Sequence, residues 1–150
     1  MIFTTDITVR GYHCDHYGHV NNARWVELLE EAVDTMVLDA ESAAGFYALL
    51  GRSYLEKLDR PDQALAVFER ARTRGALTPR SGDLLAGLYE SMARFADLAR
   101  LLDELADQQE DQAARQRLLV KRARILADHL GRTGEAADVL LELFRVAPAK

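Results

Sequence analysis

The sequence predicts a mostly α-helical protein, with an α-solenoid of about three helical hairpins over residues 41–150, preceded by a short β-strand and an amphipathic helix within residues 1–40. Three observations indicate this fold. Apolar residues recur at helical spacing throughout the second segment, and similar positions return at a nearly constant interval. Alternation with a period of two is confined to the first ten residues. A chain of 150 residues is long enough to bury a hydrophobic core.

The two segments differ in charge. The formal net charge is −5, and residues 1–40 contain seven acidic and two basic residues, whereas the remainder holds 17 of each. A balanced second segment argues against nucleic acid as a partner, because phosphate binding favours a positive excess. No window approaches the roughly 18 apolar residues that a membrane helix needs. Together with a single cysteine, Cys14, this predicts a cytoplasmic protein that binds neither nucleic acid nor membranes.

The first segment begins with a predicted strand. Residues 2–10 alternate polar side chains with Phe3, Thr5, Ile7 and Val9, as expected when one face of a strand is buried. Because such a strand has unpaired edges, two chains could pair there, and we expect a homodimer through it.

A helix is predicted from Asn22, a good N-cap residue, to about residue 40. It has an acidic face and an apolar stripe formed by Val26, Leu29, Val33 and Met36. We expect this helix to cover the first hairpin and to hide Phe46 and Leu50 from water.

The polar stretch between strand and helix carries a motif. Residues 9–22 read VRGYHCDHYGHVNN, and Trp25 and the run LLEEA at 28–32 follow. Over about residues 5–34 this resembles the N-terminal part of a hot-dog-fold acyl-CoA thioesterase of the 4-hydroxybenzoyl-CoA type. The resemblance implies that Asp15 acts as nucleophile or general base, and that the turn from Gly18 through His19 to Asn22 polarises the thioester carbonyl. Backbone N–H groups and the helix dipole would stabilise the oxyanion there.

The resemblance covers only part of a hot-dog domain, since no run with a period of two follows Ala40. Thioester hydrolysis on acyl-CoA is therefore the alternative functional prediction, with the hot-dog domain truncated or completed by another chain. An inherited fragment with an idle motif is the other interpretation. A zinc site is a further alternative for this stretch, but the motif already accounts for its ligand-type residues, so we predict no metal and no cofactor. Those residues are His13, Cys14, Asp15, His16 and His19.

The second segment repeats itself. Tyr54 and Tyr89 lie 35 residues apart, close to a period of about 34, and turn residues cluster near 59–62, 75–79 and 131–134. Residues 43–148 resemble degenerate tetratricopeptide repeats, with an ordinary helical bundle as the alternative. The expected core positions are Leu50, Gly51, Tyr54, Ala64, Phe68 and Ala71 in the first unit, Leu85, Ala86, Tyr89, Leu98, Leu102 and Leu105 in the second, and Leu119, Ala123, Leu126, Ala136, Leu140 and Leu143 in the third.

The repeat resemblance implies a protein-protein interaction scaffold, and this is the main functional prediction. Arginine forks suit carboxylates, so we expect an acidic peptide or a partner helix in a concave groove. The same arginines could instead pair with nearby acids on a solvated surface. The groove would include Arg52, Leu55, Arg80, Asp83, Arg117, Val120 and Arg124.

Overall fold

The computed structural model describes residues 22–35 and 40–146. These residues form seven α-helices and no strand, which confirms the mostly α prediction. The predicted strand at residues 2–10 lies outside the described residues. The helices are α1 (Asn22–Thr35), α2 (Ala40–Glu56), α3 (Pro61–Thr73), α4 (Pro79–Ser91), α5 (Phe95–Asp107), α6 (Gln112–Asp128) and α7 (Thr133–Val146).

Two compact units make up the chain, Met1–Ser81 and Gly82–Lys150, so the division lies within α4. In the first unit α2 packs against α3, and α1 packs against α2. In the second unit α6 packs against both α5 and α7. The domain boundary that the sequence predicts between residues 40 and 41 stays a prediction.

Helix α1 is described from Asn22, where the sequence predicts a helix to begin, to Thr35. The sequence predicts that this helix continues to about residue 40, and residues 36–39 lie outside the described part of the chain. Val26 and Leu28 are buried on α1. On α2, Leu50 is fully buried and Phe46 stays partly exposed.

The core of the first two hairpins follows the predicted pattern. All six predicted positions in each of the first two units are buried. Gly51 is needed for close packing, because the ring of Phe68 occupies the space that a Cβ atom would need. The third unit departs from the pattern, since Leu140 is 38% exposed and Leu119 and Leu143 are only partly buried. Two more apolar side chains of α7, Leu141 and Phe144, are exposed.

Helix ends coincide with the predicted turns. Pro61, Pro79 and Thr133 open α3, α4 and α7, and proline suits a first helical turn because its missing N–H has no helical partner there. After α3, Gly75 adopts a left-handed φ of 66°, and the N–H of Ala76 donates to the carbonyl of Ala71 at 2.8 Å. This is the hydrogen bond that closes a glycine-terminated helix.

Candidate functional site

The predicted thioesterase motif ends where α1 begins. Asp15, Gly18 and His19 lie outside the described residues, and Asn22 is the first residue of α1. A helix start leaves its first backbone N–H groups without helical partners and carries a partial positive charge. The role of the start of the 14-residue α1 as a polarising group stays a prediction.

Glu30 fixes α1 against the helices that follow it. The hydroxyl of Tyr54 on α2 donates to Glu30 Oε2 at 2.8 Å, and Nη1 of Arg70 on α3 lies 3.5 Å from Glu30 Oε1. Burial, followed by the hydrogen bond and the negative charge of Glu30, raises the pKa of Tyr54 to about 12. One carboxylate thus joins three helices of the first unit.

A small cleft lies between α1 and α2 in the first unit. It has a volume of about 230 Å³. Two exposed side chains, Trp25 and Leu49, line this cleft. Val26, Leu29, Ser53 and Lys57 complete the lining.

A larger cleft lies in the second unit, between α6 and Glu90 of α4. Its volume of about 710 Å³ falls within the range of roughly 300–1,000 Å³ typical of small-molecule sites. Basic and amide side chains of α6 contribute most of its polar lining. The lining residues are Glu90, Ala113, Gln116, Arg117, Val120, Lys121, Arg124, Ile125, Asp128 and His129.

The helix that carries this cleft is well anchored. Asp111 caps α6, because its carboxylate accepts hydrogen bonds from the backbone N–H groups of Ala113 and Ala114 at 3.1 and 3.2 Å. At the other end, the ring of His129 stacks on Phe95 with a centroid distance of 3.8 Å and an interplanar angle of 14°. Both ends of α6 are thus held in place.

The structure brings together part of the predicted groove. Arg117, Val120 and Arg124 line the same cleft of the second unit, whereas Asp83 is an exposed residue of α4 that does not line it. The remaining predicted residues belong to the first unit. They are Arg52, half-buried on α2, Leu55, partly buried on the same helix, and Arg80, exposed on α4.

Several contributors to these sites have no strong sequence signal. Glu30 and Tyr54 are separated by 24 residues, and no spacing rule pairs them. Gln116 and His129 enter the cleft of the second unit because they lie along or just beyond α6. Their positions on the helical wheel of α6 could have indicated this, since residues one turn apart share a face.

Two features are absent from residues 22–35 and 40–146, a metal-binding cluster and a membrane-spanning helix. No cluster of three or more His, Cys, Asp or Glu side chains there could hold a metal ion. The histidine-rich stretch considered for zinc lies outside that range. No helix in this part of the chain is both long and apolar enough to cross a membrane.

Comparisons with known proteins concern the N-terminal part of the chain. The family model of the acyl-ACP thioesterase C-terminal domain matches residues 2–45. A stretch of 28 residues is 71% identical to the long-chain acyl-CoA thioesterase FadM of Escherichia coli (strain K12). That stretch is 19% of this chain and 21% of FadM, so the chain spans about a fifth of the length of this curated relative. No solved structure matches the chain.

These matches correct the main functional prediction. The expected role as an interaction scaffold for an acidic peptide or a partner helix is wrong, because the matched family and the matched relative are both thioesterases. The N-terminal segment is thioesterase-like, as its motif predicts. The tetratricopeptide resemblance of residues 43–148 gains no support from the comparisons. Helical periodicity establishes helices and their buried faces, but it says little about what the exposed faces bind.

Proposed function

We propose that this chain hydrolyses acyl-CoA thioesters, with Asp15 as the catalytic carboxylate. One observation carries the proposal: residues 2–45, matched by a thioesterase family model, contain the whole motif from Asp15 to Asn22. The similarity to a long-chain acyl-CoA thioesterase over 28 residues supports the same substrate class. A cytoplasmic location belongs to the same proposal.

The chemistry follows from the residue types. The Asp15 carboxylate attacks the thioester carbonyl carbon, or removes a proton from a water molecule that attacks it. The carbonyl oxygen becomes an oxyanion, which the N–H groups from Gly18 to Asn22 at the start of α1 stabilise. When the oxyanion collapses, the carbon–sulfur bond breaks and the thiolate of coenzyme A leaves and takes a proton. If Asp15 is the nucleophile, water then hydrolyses the resulting anhydride.

The hot-dog scaffold must be completed for this chemistry. The resemblance implies a central helix wrapped by a sheet, while the described residues hold helices only. We propose that the strand predicted at residues 2–10 pairs with the same strand of a second copy, because an unpaired strand edge favours such pairing. The active form would then be a homodimer.

The decisive experiment measures release of coenzyme A from a panel of acyl-CoA substrates of increasing chain length. Chromatographic detection is needed, because Cys14 would also react with a thiol reagent. The full-length chain should release coenzyme A, and Asp15→Asn should lower kcat by about 100-fold or more, in keeping with the usual contribution of a catalytic acid or base. Asp62→Asn, at an exposed acid of α3, is the matched control and should keep full activity.

Two results would refute the proposal. One is the absence of turnover in protein whose circular dichroism is strongly helical. The other is turnover that Asp15→Asn leaves unchanged. Light scattering tests the dimer separately, and a chain that stays monomeric at high concentration would exclude completion by a second copy.

A further inference from the structure

The cleft of the second unit concentrates positive charge on one face of α6. Arg117, Lys121 and Arg124 all line it, and their spacing of four and then three residues places them on a single helix face. Two acids also line the cleft. Glu90 forms an ion pair with Lys121 at 2.9 Å. The other acid is Asp128.

Two of these cations stand out because they have no partner among the described residues. Helix α6 carries five basic residues, and three of them pair with acids: Arg115 with Asp107, Lys121 with Glu90, and Arg122 with Asp103. The remaining two, Arg117 and Arg124, have no hydrogen bond or ion pair within the described part of the chain, and both line the cleft. Among the described residues, the helix thus leaves unpaired two guanidinium groups that border this cleft.

The distance between Arg117 and Arg124 along the helix suits a ligand with two phosphate groups. Their Cα atoms lie two turns apart, which corresponds to about 10 Å along the helix axis. A ligand with two phosphate groups on opposite sides of a sugar could contact both guanidinium groups at once. Each guanidinium can bind a phosphate through two parallel hydrogen bonds.

The rest of the lining suits a nucleoside between the phosphates. His129, stacked on Phe95, adds a flat aromatic group to the lining, and aromatic rings stack on bases. The carboxylate of Asp128 can accept a hydrogen bond from a ribose hydroxyl or an exocyclic amino group, and the amide of Gln116 can donate or accept. A purely phosphate-binding site would need neither the ring nor the acid.

We propose that this cleft binds the phosphorylated adenosine end of coenzyme A, which carries phosphates at the 3′ and 5′ positions of its ribose. The choice of coenzyme A among nucleotides rests on the proposed function. The recognition itself rests on Arg117, Arg124 and the aromatic end of the cleft.

The test is isothermal titration calorimetry of the full chain with adenosine 3′,5′-bisphosphate, 5′-AMP and inorganic phosphate. The bisphosphate should bind at least tenfold more tightly than either of the other two, and its affinity should fall as salt rises. Arg117→Gln and Arg124→Gln should each weaken bisphosphate binding at least tenfold. The matched control is Arg115→Gln, on the same helix but outside the cleft, which should change the affinity less than twofold.

Three results would overturn the inference. The first is no binding of the bisphosphate to folded protein, and the second is equal affinity for bisphosphate and inorganic phosphate, which would indicate a simple anion site. The third is an unchanged affinity in both Arg117→Gln and Arg124→Gln. Circular dichroism of the variants shows whether each one is folded.

The assay is independent of catalysis, since the bisphosphate contains no thioester. Asp15→Asn should therefore bind it as tightly as the unsubstituted chain does. Hydrolysis that persists without bisphosphate binding would overturn the cleft assignment and leave the proposed function standing. Bisphosphate binding without any hydrolysis would support the cleft and refute the proposed function.

Discussion

The hydroxyl of Tyr54 donates a hydrogen bond of 2.8 Å to the carboxylate of Glu30. The two residues lie on different helices, and Glu30 lies in the segment that matches thioesterases, whereas Tyr54 lies beyond it. Tyr54 is only 5% exposed, so the donor side of this hydrogen bond is shielded from water. This contact connects the thioesterase-like helix α1 to the helices that follow.

Replacing Tyr54 by phenylalanine should weaken this connection. The variant removes the donor and leaves the carboxylate of Glu30 with fewer partners, while the aromatic ring stays in place. We expect the free energy of unfolding to fall by about 1 kcal/mol, the usual net value of one hydrogen bond. Urea denaturation followed by circular dichroism measures the change.

Tyr47 provides the matched control on the same helix. Its hydroxyl is buried and has no hydrogen-bond partner among the described residues, so Tyr47→Phe should be neutral or stabilising. Equal destabilisation by the two variants would mean that ring packing, and not the bond to Glu30, explains the loss.

Alkaline pH should weaken the same contact. The pKa of Tyr54 is raised from 10.0 to about 12 in the folded chain, so its neutral form stabilises the fold. That contribution is fully present below pH 10 and is lost as the pH rises towards 12. The unfolding midpoint in urea should therefore fall more steeply over this range for the unsubstituted chain than for Tyr54→Phe.

Ultraviolet absorbance of tyrosinate provides a direct check. Tyr54 should titrate later than the ordinary value of 10.0, so the late part of the titration should be smaller in Tyr54→Phe by one tyrosine. A variant whose late step is undiminished would show that Tyr54 does not have the raised pKa.

Gly51 should tolerate no side chain. A Cβ atom there would overlap the ring of Phe68, which is fully buried. We expect Gly51→Ala to destabilise the chain by about 1–3 kcal/mol, as overpacking of a core does. Urea denaturation is again the measurement.

Gly45 is the control for this substitution, because it lies on the same helix with open space around its Cα. Gly45→Ala should stabilise the chain by about 0.5–1 kcal/mol, since alanine favours the helix. If both variants were stabilising, the close packing of α2 on Phe68 would be disproved.

Much of the helical framework is predictable from the sequence. The period of the apolar residues identifies the buried positions of the first two hairpins, and Pro61, Pro79 and Gly75 mark helix ends. The turn between α4 and α5 has no such mark. Its left-handed residue is Ala93, with φ of 55°, and alanine in that conformation is unfavourable without help from surrounding packing.

The candidate sites were predictable only in part. Arg117 and Arg124 lie on one face of α6 by spacing alone, but which of the five basic residues of that helix remain unpaired depends on acids contributed by other helices. The contact between Glu30 and Tyr54 depends on how α1 packs. Local patterns contain no information on such pairs, because tertiary packing decides them.

The thioesterase match ends at residue 45, inside α2, which runs from Ala40 to Glu56. The end of the family match therefore does not coincide with the end of a helix. A protein engineer who transplanted residues 2–45 as a cassette would cut a helix between Gly45 and Phe46 and would leave Glu30 without Tyr54. An exchangeable piece that retains both residues must extend at least to the end of α2 at Glu56.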